Sequence, residues 1–344
     1  MKVKKKNTYF FIWIFVLFLH LYNINQSEEA QNKFEVSPQK IKKPIFKPLP
    51  FEKEYSLGIE KGLIRPLFVR VDNVENIYVY DFGEKCIKKY TSEGKFVQTF
   101  GKGMGQGPGE FINVADFAVK NNGEVWVCDT TFSFITVFDI YGNPIKTCRL
   151  KNPALRIGLL SNEEYIIIPT TSQNYLTFLR YDRDGELKSS FTLPSPWTEE
   201  FPELAFLKMD GWLAIDNNDN IYFAFSRSGL LASFSPEGKL RYLVETIDRT
   251  PPPKMIKFKG GAHIEPKSPW AALSLSIVGS EIYILNHASS KGRKGMVFDV
   301  YSALDGQYIY SFEIPQKCMS ACVTKSAVIT VAEQESVTRW KKIS

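Results

Sequence analysis

Residues 96–145 read FVQTFGKGMGQGPGEFINVADFAVKNNGEVWVCDTTFSFITVFDIYGNPI. A glycine-rich link leads to an apolar run, Val114 to Val119, then a polar turn at Asn121 to Gly123, then a second run, Val125 to Cys128, closed by Asp129. A third run, Phe134 to Phe138, ends at the Tyr141-Gly142-Asn143 turn, and a fourth, Ile145 to Leu150, leads out. Four β runs of about five residues, bounded by Gly, Asn and Asp, make one antiparallel meander, and a period of roughly 45 residues is that of a propeller blade.

The stretches GPGEF (107–111), VWVCD (125–129) and VFDIYGN (137–143) together resemble an NHL-repeat blade. The resemblance is close over residues 66–150 and continues as a pattern from 151 onward. It is similar to the six-bladed β-propeller proteins of that superfamily, many of them exported, and implies an all-β fold of four-stranded antiparallel blades. The glycine run invites a nucleotide-binding reading, which its context opposes. A phosphate cradle needs a helix N-terminus after it, whereas Ile112 to Val119 is strand-like. Glycines that turn the chain sharply between blades are a sufficient explanation.

Counting second strands gives six repeats: IYVYD at 77, VWVCD at 125, YIIIP at 165, IYFAF at 221, IYILN at 282 and VITVA at 328. Hairpin turns needing φ > 0 recur at Ser92–Gly94, Tyr141–Asn143, Arg183–Gly185, Pro236–Gly238 and Leu304–Gly306. The sixth is missing, because the last repeat stops after three strands. EYSLG at Glu54 to Gly58 aligns with QTFG at 98–101, a fourth strand without a blade. The expectation is a six-bladed ring closed by that N-terminal strand pairing into the last blade, which removes an open sheet edge.

Ahead of the ring, residues 1–27 read as a signal peptide or signal anchor, with a basic start (Lys2, Lys4, Lys5, Lys6) and an apolar stretch from Tyr9 to Tyr22. That places the domain outside the cytoplasm: periplasmic, in the cell envelope or extracellular. Without those residues the formal charge falls from +6 to +2, so nucleic acid is not an expected partner, and membrane contact is expected only through this segment. Residues 28–50, with Pro38, Pro44, Pro48 and Pro50 among lysines, read as a spacer ahead of a propeller at 51–344. The five cysteines fall mostly on β runs and are expected as buried thiols.

Short turns join first to second and third to fourth strands. Longer links join second to third strands and successive blades, above all Leu193–Asp210, Ile247–Trp270 and His287–Gly295, so the length gathers on one face, where binding is expected. The candidate binding residues there are Arg156, Trp197, Arg227, His263, His287 and Arg293: arginines to clamp carboxylates or phosphates, tryptophan as an apolar platform. His263 and His287 are the only histidines after the N-terminal segment, too few for the three-ligand zinc site of catalysis. The sequence thereby departs from the His-rich zinc site of the family's amidating-lyase members. Asp81, Glu110, Asp116 and Asp129 are the carboxylates that would suit calcium, although Asp81 and Asp129 recur at one blade position and fit a structural role as well. The expectation is a monomeric binding module for a protein, peptide or glycan, with no identifiable catalysis or cofactor. The alternative is a calcium-dependent hydrolase or lyase, lactonase-like or amidating-lyase-like, on the same fold.

Overall fold

The computed structural model describes residues 35–170, 175–196, 209–258, 261–287, 295–333 and 335–343. The chain forms six four-stranded antiparallel sheets, five of them simple meanders in chain order. In blade 1 the strands run from inner to outer as Pro66–Val71, Ile77–Asp81, Cys86–Tyr90 and Phe96–Phe100. The inner strands of the six blades, Pro66–Val71, Val114–Val119, Ala154–Leu159, Gly211–Ile215, Ala272–Val278 and Ser320–Val323, touch in succession, and the last touches the first.

Closure follows the expected scheme. Blade 6 takes Ser320–Val323, Ala327–Ala332 and Ser336–Lys342 from the C-terminal end and Phe51–Leu57 from the N-terminal side. Phe51 pairs with Lys342 and Leu57 with Val337 in antiparallel register. Arg339, almost fully buried, fastens the join: its Nε donates to Glu54 Oε2 (2.6 Å) and its Nη2 to Glu75 Oε2 (2.7 Å) in blade 1.

Second strands are buried along their whole length in blades 1 to 4, which is why they read as continuous apolar runs without alternation. Each blade face packs on its neighbour. Between blades 1 and 2, Tyr78, Tyr80, Ile87 and Phe100 meet Phe117, Val127 and Phe138. The five glycines of the third-to-fourth turns, Gly94, Gly142, Gly185, Gly238 and Gly306, all have φ between 70° and 88°, the left-handed region a side chain resists.

Three features differ from the sequence expectation. Links between second and third strands span only 82–85, 130–133 and 226–229 in blades 1, 2 and 4, because joining adjacent strands needs only a tight turn. In blade 5 the second-to-third link, 287–296, keeps the expected length, and the longest links of the chain, 195–210 and 246–271, cross from an outer strand to the next inner one. The Ile247–Trp270 link is no bare loop: it carries a hairpin, Met255–Phe258 paired with Gly261–Ile264.

The third difference is the 28–50 stretch. From residue 35 it does not stand free but runs along the outer edges of blades 4 and 5. Ser37 N–H donates to Leu243 O (2.9 Å), Ser37 O accepts from Glu245 N–H (3.0 Å), and Lys47 N–H donates to Ser311 O (2.8 Å). Gln39, fully buried, donates to Glu245 O and Gly306 O and accepts from Tyr308 N–H. Sparse apolar residues suffice here, since Val36, Ile41 and Leu49 extend cores the blades already have. Among the described residues no helix is long and apolar enough to cross a membrane, and the 1–27 segment lies outside them.

Candidate functional site

Inner strands decide what faces the axis. In blades 1, 2, 3 and 5 a register shift after the first residue of the inner strand re-aims the third. Phe68, Asp116, Arg156 and Ser274 therefore share one level, opposite Tyr80, Cys128, Ile168 and Leu285, and Trp212 joins them opposite Ala224. Phe68 and Trp212 meet edge to face, with ring centroids 6.2 Å apart. Asp116 accepts from Arg70 Nη2 (2.6 Å), Phe117 N–H (2.9 Å) and Ile157 N–H (3.3 Å), tying blades 1, 2 and 3.

Arg156 is engaged in the same way. Its Nε donates to Gly211 O (2.6 Å), Nη1 to Leu155 O (2.7 Å) and Nη2 to Asp210 Oδ1 (3.0 Å), and its guanidinium lies 4.6 Å from the Trp212 ring centre. It is an inner-strand strut, with three of its five N–H donors already committed to the protein.

Arg227 differs. It sits in the four-residue link of blade 4, its guanidinium 3.1 Å from the ring centre of Trp270, which is 37% exposed. Burial lowers its pKa, and nearby Asp210 opposes that shift. Among the described residues it makes no hydrogen bond or ion pair. Backbone bonds knit the surrounding segments: Ser226 N–H to Asp210 O (2.9 Å), Ala271 N–H to Ser226 O (2.9 Å) and His287 N–H to Ala271 O (2.7 Å). Asp210, Arg227, Trp270 and His287 thus come together on the long-link face where blades 4 and 5 adjoin. His263 stands apart in the hairpin, exposed, its ring 5.7 Å from Phe258. Trp197 and Arg293 lie outside the described residues.

The four candidate calcium carboxylates are dispersed onto protein donors. Asp81 accepts from the N–H groups of Ile64 and Arg65 (2.8 Å each) and Gly83 (3.0 Å), and pairs with Lys88 (3.2 Å). Asp129 does the same in blade 2, accepting from Ile112 and Thr131 N–H (2.7 and 2.8 Å). Glu110 is wrapped by the glycine link, accepting from Gly107 N–H (2.7 Å), and a Cβ at Gly105 would lie 2.0 Å from its carboxylate. As placed, these residues do not fit a shared calcium site, and among the described residues no three His, Cys, Asp or Glu side chains converge as metal ligands.

Two features escaped sequence reasoning: Trp270 as the platform under Arg227, and the axial Phe68–Trp212 contact. Aligning the inner strands by counting back from the second strands would have put Phe68 and Trp212 at one level, but not in contact.

Residues 66–192, covering blades 1 to 3, match the family model described as a 6-bladed beta-propeller. The chain is a six-bladed β-propeller. Similar solved structures include the Cps50 (Swd1) beta-propeller domain of Myceliophteria thermophila, at 9% identity over 86% of this chain and 100% of that one, TM-score 0.52. The Pan2 WD40 domain of Neurospora crassa matches at 11% identity over 88% and 98%, TM-score 0.52. Virginiamycin B lyase from Staphylococcus aureus matches at 11% over 86% and 100%, TM-score 0.50. At these identities the likeness is one of fold alone. No curated protein matches the sequence.

Proposed function

We propose that this propeller is a binding module whose long-link face, where blades 4 and 5 adjoin, takes a peptide segment carrying a carboxylate beside an apolar side chain. The observation that carries the reading is Arg227: a guanidinium stacked on a half-exposed Trp270 ring, partly desolvated, with no carboxylate partner among the described residues. Stacking fixes the plane of the fork, so little ordering remains to be done when an anion arrives. The exposed ring edge then offers apolar area beside the charge.

The reading is tested by titrating the protein with a library of acidic, aromatic-containing peptides and following tryptophan fluorescence. Alanine at Arg227 should weaken the best binder by about 1 to 3 kcal/mol, the range for a lost charge-assisted hydrogen bond. Alanine at Glu93 or Glu237, on turns of the opposite face, should leave affinity unchanged. Full binding by the Arg227→Ala protein would sink the assignment.

A further inference from the structure

The opposite face holds the other mouth of the ring, and it is not featureless. One cavity of about 610 Å³ is lined there by residues of blades 1, 2, 3 and 4. Blades 1 and 4 stand opposite each other in the ring, so the cavity spans the axis. Its floor is aliphatic: Val119, Leu159 and Ile215, the last residues of three inner strands. Further along the axis Phe68 and Trp212 meet edge to face, their ring centroids 6.2 Å apart.

The charges in the cavity wall are already engaged. Lys120 pairs with Glu163, which also pairs with Arg183. Asp219 accepts from Ser161 N–H (2.9 Å) and Oγ (2.6 Å), and Asp216 from Asn218 N–H (2.8 Å), Asn220 N–H (2.9 Å) and Tyr222 OH (2.8 Å). Three amides are left over. Asn73, Asn121 and Asn217 hold the same place, second in the first-to-second turn, in blades 1, 2 and 4, and all three are exposed on the cavity. Turn closure falls to other side chains: Asp72 accepts from Val74 and Asn76, Asn122 from Glu124, and Asp216 from Asn218 and Asn220. Turn chemistry therefore does not explain these three amides, which make no hydrogen bond among the described residues.

An amide both donates and accepts, so several around an aliphatic floor complement a molecule with hydroxyls on its rim and C–H groups on its face. Carboxylates in the wall, with the one lysine neutralised, disfavour an anion. We propose that this mouth is a second binding site, for a neutral saccharide of one or two rings. It goes beyond the peptide site on the other face and does not rest on it.

Isothermal titration of the whole chain with maltose, chitobiose and glucuronate tests it. The expected result is saturable binding of at least one neutral disaccharide, weaker binding of glucuronate, and a loss of about tenfold or more in an Asn121→Ala/Asn217→Ala protein, since two hydrogen bonds go. Because both positions are exposed turns, that protein should melt with the parent, and melting is measured alongside. Arg227→Ala should bind the sugar normally, so failure of the peptide site and of this one read out separately. Absence of saturable binding by both neutral sugars, or equal affinity in the double variant, overturns the proposal.

Discussion

Phe68 and Trp212 belong to blades on opposite sides of the ring, yet their rings meet edge to face with centroids 6.2 Å apart. Each is braced from its own side. Phe68 stacks on Tyr80 at 6.0 Å, and Trp212 donates from Nε1 to Ala272 O (3.2 Å) beneath the Arg156 guanidinium. A six-bladed ring is narrow enough for two large side chains to span it. Trp212→Ala should cost about 3 kcal/mol, toward the lower end of the range for large aromatic truncations because the ring is only half-buried. Denaturant unfolding measures it, and a midpoint unchanged from the parent would mean the rings do not hold the axis together.

The belt along blades 4 and 5 makes a graded prediction. Deleting residues 1–34 leaves every described belt bond in place. Deleting 1–50 removes the Ser37, Gln39 and Lys47 bonds and bares two outer edges, a loss on the order of a few kcal/mol after the entropy of ordering the belt is offset. Deleting 1–57 also removes the closing strand and the Glu54 partner of Arg339, leaving blade 6 with an open edge and a half-paired buried cation. Melting temperatures should therefore fall stepwise across the three truncations. If the 1–50 deletion melts with the 1–34 deletion, the belt contributes nothing to stability.

Asp299 predicts a pH dependence. It is fully buried in blade 5, accepting from Asn286 Nδ2 (2.7 Å) and Ser311 Oγ (2.6 Å). Ser311 in turn meets Tyr308 OH (2.7 Å), which accepts from the belt's Ile45 N–H (2.9 Å). Burial, reinforced by Asp248, pushes the carboxyl up to about 7 from an ordinary 3.8, against the pull of its two hydrogen bonds. A carboxyl raised on folding holds its proton in the native state after the unfolded chain has lost it. Its contribution is then fully present below about pH 4 and lost as pH rises through about 7. From pH 5 to 8 the parent should lose melting temperature while Asp299→Asn stays flatter. Parallel curves for the two proteins would show that Asp299 titrates normally.

The repeat period, the six second strands, the glycine turns and the orphan strand at Glu54–Gly58 were all legible in the sequence, because each is a local matter. Buried strands must be apolar along their length, left-handed turns select glycine, and a repeat that lacks a strand must find it elsewhere. Asp81 and Asp129 could be seen to recur at one blade position, and that they bind the backbone of their links follows from the shared geometry.

The belt was not legible, since a Pro- and Lys-rich stretch with few apolar residues carries no periodicity of its own. What holds it is a strand edge and the hydrogen-bond partners of its buried Gln39 amide, all supplied by residues more than 200 positions away. The sites divide the same way. Arg227 could be picked out as a cation in a link, but its platform, Trp270, lies 43 residues on and reaches it only because blades 4 and 5 pack side by side. Sequence by itself determined that there would be six blades and where the ring would close, because period and strand composition are set residue by residue. Only the tertiary structure decided which side chains meet across the axis, which charges are already paired and which amides are left facing a cavity, because those depend on distances between blades that no local pattern encodes.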